Sequence, residues 1–323
     1  VDSGIQPMEL KIVTFLLVLL PVLLPNFLWA CIQGTPPSVP APDGLIPSLR
    51  SSPMYTLTAM DQAMYKRDGF VVIKEFVKRS IALELVDTVR IHSWSQYPEI
   101  LRMLGRVQYL NGAVNTLLRE LPFDALATPL LNVSASQINY IQMWTKDAGD
   151  ASQECIGGAR PATENHIGGH VDAAGPGGQV TAWLAFTDAP YSMVMFNRSH
   201  EVISKVKAEC NINGGLVGHP FDPWQNKLSG VHEGLCDACD HCIQKMNPSQ
   251  SLIDAQRVWI NAKAGDLVVF DGNLVHDGNC QSEFRIAMCL RLIPKSNPEV
   301  PFAPPLDPPS GFFHLNIWRA LWA

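Results

Sequence analysis

The apolar residues of this chain change their period along its length. From Ile12 to Cys31 they run almost unbroken, IVTFLLVLLPVLLPNFLWAC, with no charge among them. About 20 apolar residues are enough to cross the hydrocarbon core of a bilayer. The segment reads as a cleaved secretory signal, with small Ala30 before the cut, or as an uncleaved signal anchor. Pro21 and Pro25 would disturb a membrane helix and favour cleavage. Met8, just before this segment, is expected to be the natural start. Residues 1–31 are therefore expected to send the chain into the secretory pathway, lumenal or extracellular, or to tether it to a membrane through residues 12–31. Residues 32–55 follow as a Pro/Ser-rich linker, extended and without a core.

The helical period then begins. Thr58 offers an N-cap with Asp61 at the capping-box position, predicting a helix over Ala59–Arg67 that breaks at Asp68-Gly69. The run Phe70-Val71-Val72-Ile73 predicts a buried strand. A second helix is expected from Arg79 to Trp94, with Ile81, Leu83, Leu85, Val86 and Val89 as its inward stripe. From Gln137 the period becomes two. Ile138, Tyr140, Gln142 and Trp144 would share one face of a strand, and further strands are expected at Gln179–Asp188, Asp266–Phe270 and Arg285–Ile293. Short strands punctuated by Gly and Pro suggest a mainly β protein, a jelly roll with flanking helices, over residues 56–294. Residues 295–323 read as an irregular Pro-rich tail.

Composition narrows the function. The 323 residues carry a net charge of -6, so no basic excess exists to neutralise phosphates and no nucleic-acid partner is expected. Cys236, Cys239 and Cys242 form CDACDHC, with Cys210, His232 and His241 near in sequence. The spacing suits zinc, but a lumenal compartment favours disulfides. Asn132 and Asn197 head glycosylation sequons, of which the first is expected to be usable.

The chemistry concentrates in Gly168-Gly169-His170-Val171-Asp172. In extended chain, residues i and i+2 point the same way, so His170 and Asp172 can present an imidazole and a carboxylate to one point. A second imidazole would complete the two-histidine, one-carboxylate face of a non-haem Fe(II) oxygenase, leaving open positions for a keto acid and O₂. His276 is the candidate, placed after the buried strand Leu267–Phe270 and the reversal at Asp271-Gly272. Nine residues on, Arg285 opens RIAMCLRLI, where a guanidinium can grip a carboxylate through paired hydrogen bonds. Arg285, Ala287, Cys289 and Arg291 share one face of that strand, either lining the barrel or facing solvent. His166, four residues before His170, reads as a loop residue.

These residues carry a family resemblance. LTAMDQAMYKRDGFVVIKEFV, HVDAAGPGGQVTAWLAFTDA, MVMFNRSHE and AGDLVVFDGNLVHDGN…RIAMCLRLIP, in that order from Leu57 to Pro294, resemble the phytanoyl-CoA dioxygenase family. The resemblance implies a cupin-like double-stranded β-helix fold. It implies Fe(II) held by His170, Asp172 and His276, 2-oxoglutarate as cosubstrate with Arg285 on its distal carboxylate, and a small-molecule substrate oxidised with O₂. His200 resembles a structural histidine of the family. Tyr140, Gln142 and Trp183 are candidates for lining the cosubstrate pocket, or are ordinary barrel packing. Two departures matter. The spacing from His276 to Arg285 is about two residues short of the family pattern, which keeps Arg291 in view as anchor, and Arg198 stands where the family has glycine.

The expected reaction is hydroxylation of a small apolar or lipid-like substrate, with desaturation or ring formation as variants of the same chemistry. A catalytically silent jelly-roll binding domain is the alternative from another class. A cupin-like lectin or isomerase would have no need of an arginine beside the metal.

Overall fold

A computed structural model describes residues 41–50, 55–90, 112–146, 171–172, 178–210, 255–278 and 284–296, apart from the side chains of residues 139, 140, 145 and 146. The apolar segment at 12–31, the cysteine cluster at 236–242, His166 and the tail beyond residue 296 lie outside them. Among the described residues no helix is long and apolar enough to cross a membrane.

Among the described residues eight strands form two antiparallel sheets. The larger has the order β1 (Phe70–Ile73), β6 (Leu267–Asp271), β3 (Val180–Ala185), β8 (Arg285–Pro294), β2 (Ser136–Lys146). The smaller has β5 (Arg257–Ala262), β4 (Ala189–Phe196), β7 (His276–Gly278). Alternation along the larger sheet builds two cores. Val180, Ala182, Leu184, Leu267, Val269, Ile286, Met288 and Leu290 pack outward under the helices. Trp183, Ala185, Val268, Phe270, Ala287 and Cys289 pack inward against Met193, Met195 and Ile260 of the smaller sheet. This is the jelly roll with flanking helices that the period-two segments predict.

Seven helices surround it among the described residues: α1 (Leu45–Arg50), α2 (Ala59–Asp68), α3 (Arg79–Glu84), α4 (Val86–Arg90), α5 (Gly112–Glu120), α6 (Phe123–Leu131) and α7 (Ser199–Glu209). The start of α2 has the full capping box, with Thr58 and Asp61 satisfying each other's backbone N–H. It ends at Gly69, whose φ of 86° is left-handed and whose N–H donates to Tyr65 O.

Three expectations are corrected. The segment expected to be extended linker contains α1, whose Leu45 and Leu49 are buried in the main core; two apolar residues four apart suffice for one docked helical turn. The helix expected over Arg79–Trp94 divides into α3 and α4 at Leu85, and Trp94 lies outside the described residues. Its stripe is Ile81, Leu85 and Val89 with Ala82, because Leu83 points to solvent and Val86 is half-buried. The face expected to hold Ile138, Tyr140, Gln142 and Trp144 is broken by a bulge. Ile138 pairs with Leu292 and Tyr140 with Arg291, leaving Asn139 as the extra residue. Ile138 therefore packs in the helix-side core, while Gln142 and Trp144 point into the sandwich.

Candidate functional site

Between the sheets lies a cavity of about 70 Å³, lined by Gln142, Trp144, Asp172, Trp183, His276, Arg285 and Arg291 among others. Each side chain arrives there by strand parity or a local turn. Arg285 and Arg291 are six residues apart on β8 and share the inward face with Ala287 and Cys289. Gln142 and Trp144 share the inward face of β2 beyond its bulge. Of the residues expected at the site from sequence, Asp172, His276, Arg285, Gln142 and Trp183 meet at this cavity. His170 and the Tyr140 side chain lie outside the described residues. Among the described residues no three His, Cys, Asp or Glu side chains converge as a metal site, so two of the three expected ligands are placed.

His276 is fixed by what precedes it. Asn273 N donates to Asp271 Oδ1 at 2.7 Å and Leu274 N to Asp271 O at 2.8 Å, an Asx turn that takes the chain from one sheet to the other. Val275 N then donates to Ser199 Oγ at 2.8 Å, Phe196 N to Val275 O at 3.0 Å, and Lys207 Nζ to Asn273 Oδ1 at 2.6 Å. His276 itself is 6% exposed, with its ring 4.6 Å from that of Phe270. Its Nδ1 lies 3.0 Å from Leu274 O. A carbonyl only accepts, so Nδ1 carries the proton and Nε2 the lone pair that a metal would need.

Asp172, 4% exposed, accepts at both oxygens: from Thr181 Oγ1 at 2.8 Å and from Arg291 Nη2 at 2.7 Å. Arg285 is as deeply buried at 4%. Its Nη1 donates to Ser192 O at 2.6 Å, its guanidinium carbon lies 5.7 Å from the centre of the Trp183 ring, and its Nε is buried with no hydrogen-bond partner among the described residues. Burial brings its pKa down to about 10, so it stays a cation at neutral pH. A buried cation beside an orphaned donor suits an anionic ligand in the cavity. The free Cys289 thiol, buried on the same face, is pushed up by burial and by the Asp172 carboxylate, and is a neutral wall at neutral pH.

Sequence reading missed Thr181, Ser192 and the α7 buttress. Thr181 had a signal: it is a hydroxyl at an inward position of an otherwise apolar strand, and a buried hydroxyl needs a partner. The segment resembling the family's Ser-His motif forms the start of α7, where Arg198 has a φ of 65°. That left-handed conformation explains why glycine suits the position. His200 Nε2 lies 3.3 Å from Lys66 O, and the ring is not among the residues that line the cavity.

The sequence matches no protein-family model and no curated protein. Among solved structures the chain is similar to SnoK, a non-heme alpha ketoglutarate dependent carbocyclase from nogalamycin biosynthesis, at 15% identity over 80% of this chain and 97% of that one, with a TM-score of 0.48. It is similar to the epimerase SnoN in complex with Fe3+, alpha ketoglutarate and nogalamycin RO, at 14% identity over 73% and 82% with a TM-score of 0.41. It is also similar to CytC3 with Fe(II) and alpha-ketoglutarate, at 13% identity over 75% and 79% with a TM-score of 0.41. At these identities and scores the likenesses carry no argument about this chain's chemistry.

Proposed function

We propose that this chain is an Fe(II)- and 2-oxoglutarate-dependent oxygenase that hydroxylates a small, apolar or lipid-like substrate. The observation that carries the reading is the buried Arg285 guanidinium, with its orphaned Nε, in one cavity with the Asp172 carboxylate and the His276 imidazole. His170, Asp172 and His276 would hold the metal, and Arg285 the distal carboxylate of 2-oxoglutarate. The bound pair supplies the oxidation: 2-oxoglutarate and O₂ give succinate and CO₂, and a substrate C–H becomes C–OH. The protein's own part is to bind and to exclude water. Trp183, Phe270 and Met193 give the cavity apolar walls, in which the field of a guanidinium is little screened. With the metal bound, the Asp172 carboxylate would be one of its ligands, a donor set that favours hydroxylation over halogenation. The disulfide at Cys210 supports the expected passage through an oxidising compartment.

The test is succinate release from 2-oxoglutarate with and without Fe(II), across a panel of apolar substrates, in the native chain and in Asp172→Ala. Iron-dependent succinate that Asp172→Ala abolishes is the expected result. Full turnover in Asp172→Ala, or none in the native chain under any condition, would remove the reading.

A further inference from the structure

Asp172 lies in irregular chain, outside any strand, yet its carboxylate is clamped by two residues that are themselves on strands. Thr181 on β3 and Arg291 on β8 face each other as ladder partners. From that one rung Thr181 Oγ1 reaches Oδ2 at 2.8 Å and Arg291 Nη2 reaches Oδ1 at 2.7 Å. Gln179 Nε2 donates to the same Thr181 oxygen at 3.3 Å, which turns the hydroxyl hydrogen toward Asp172. Two hydrogen bonds to two different oxygens fix both the direction of the side chain and the plane of the carboxylate.

The two arginines of the cavity are placed differently. Arg285 is buried, packed on Trp183 and tied to Ser192 O. Arg291 is six residues, roughly 20 Å of strand, further on. Its side chain is 25% exposed, against 4% for Asp172. Arg291 is engaged with the Asp172 carboxylate, whereas the Arg285 Nε is a buried donor with no hydrogen-bond partner among the described residues.

We infer that Arg291, with Thr181, is a positioning residue for the metal-binding carboxylate: it sets the orientation in which Asp172 meets the metal, and does not anchor the keto acid. The inference rests on the proposed metal centre. It divides the site's two guanidiniums between separate tasks, one read out by metal affinity and the other by cosubstrate affinity. Loss of a partner that orients a metal ligand typically costs 10–100-fold in metal affinity.

The experiment is calorimetric titration of the full chain with Mn(II) alone, then with 2-oxoglutarate at saturating Mn(II). Arg291→Gln is expected to weaken Mn(II) binding by about 10–100-fold while 2-oxoglutarate affinity stays within about threefold, and Arg291→Lys to recover part of the loss. Arg285→Gln is expected to do the reverse. If Arg291→Gln binds Mn(II) like the native chain and loses 2-oxoglutarate instead, the inference is overturned and Arg291 is the anchor. If Arg291→Gln does not fold, Thr181→Val decides. It keeps side-chain shape and the Arg291 contact, so Mn(II) binding about fivefold weaker with unchanged 2-oxoglutarate affinity supports the clamp. Native Mn(II) affinity in Thr181→Val refutes the clamp. A native chain that binds no Mn(II) brings down the metal centre itself, and that result is distinct from the others.

Discussion

Arg285, on the larger sheet, donates from Nη1 to the carbonyl oxygen of Ser192 on the smaller sheet at 2.6 Å, so one side chain spans the sandwich. The acceptor comes from an irregular stretch of β4. Pairing with β5 shifts between Ala189 and Met193, and Tyr191 adopts a φ of 51° while its N–H donates to Asn261 Oδ1 at 2.7 Å. A bulge that re-aims backbone toward a buried charge is a recurrent device beside binding sites.

Arg285→Met tests what this arrangement costs. Replacing a buried cation by a methionine of similar length is expected to raise the unfolding free energy of the metal-free chain by about 1–2 kcal/mol. Affinity for 2-oxoglutarate at saturating Mn(II) should fall by about 100-fold, since a charge-assisted pair to carboxylate is lost. Urea unfolding and calorimetry measure the two, and a variant less stable than the native chain would contradict the first.

Gly272 sits where a side chain has no room. A Cβ there would lie 2.9 Å from Gln179 Cβ and 3.0 Å from the Asp172 backbone oxygen. Gly272 N also donates to Gln179 O at 2.8 Å, so the backbone cannot retreat without loss. Gly272→Ala is expected to cost about 1–3 kcal/mol in stability and to weaken Mn(II) binding by displacing Asp172. Thermal melts with and without Mn(II) read both effects.

The turn before His276 is buttressed by a partly buried lysine. Burial brings the Lys207 pKa down to about 8, against the opposing effect of the Asp271 carboxylate. The unfolded lysine titrates near 10.5, so between about pH 8 and 10.5 the unfolded chain binds more protons and stability rises with pH. Below about pH 8 the full cost of the buried charge is present, of the order of 2 kcal/mol after allowance for partial exposure. Lys207→Met should lose this rise. Urea midpoints of both chains at pH 7, 8.5 and 9.5 give the comparison, and parallel profiles would contradict it.

Cys210, at the end of α7, is disulfide-bonded, and its partner is outside the described residues because Cys289 is free. Non-reducing peptide mapping should find Cys210 in a linked pair, and Cys210→Ser should cost about 2–4 kcal/mol. Cys289, buried with its thiol pushed up, should resist alkylation in the native chain and react only on unfolding.

Much of this was legible from residue order. The capping box at Thr58, the strands at Phe70–Ile73 and Leu267–Asp271, and the shared face of Arg285 and Arg291 follow from local chemistry and a period of two, while the inward direction of that face comes from the packing of the two sheets. What was not legible depends on neighbours distant in sequence. The bulge at Asn139 turns Ile138 to the face opposite Gln142 and Trp144, and nothing in a run of alternating residues marks an extra one. The docking of α1 by Leu45 and Leu49 depends on a core assembled from elsewhere, and proline and serine around it suggested open chain. The Arg291–Asp172 contact joins residues 119 apart, and only the ladder between β3 and β8 brings Thr181 to the same rung.

The four residues from Gly272 to Val275 are the covalent link by which the chain leaves one wall of the cavity and becomes part of the other. They are held by the Asx turn at Asp271 and by α7, so the gap between the walls has a fixed girth. Where the chain crosses, wall and wall are thus sewn together at a single anchored stitch, and His276 is the first residue on the far side of it.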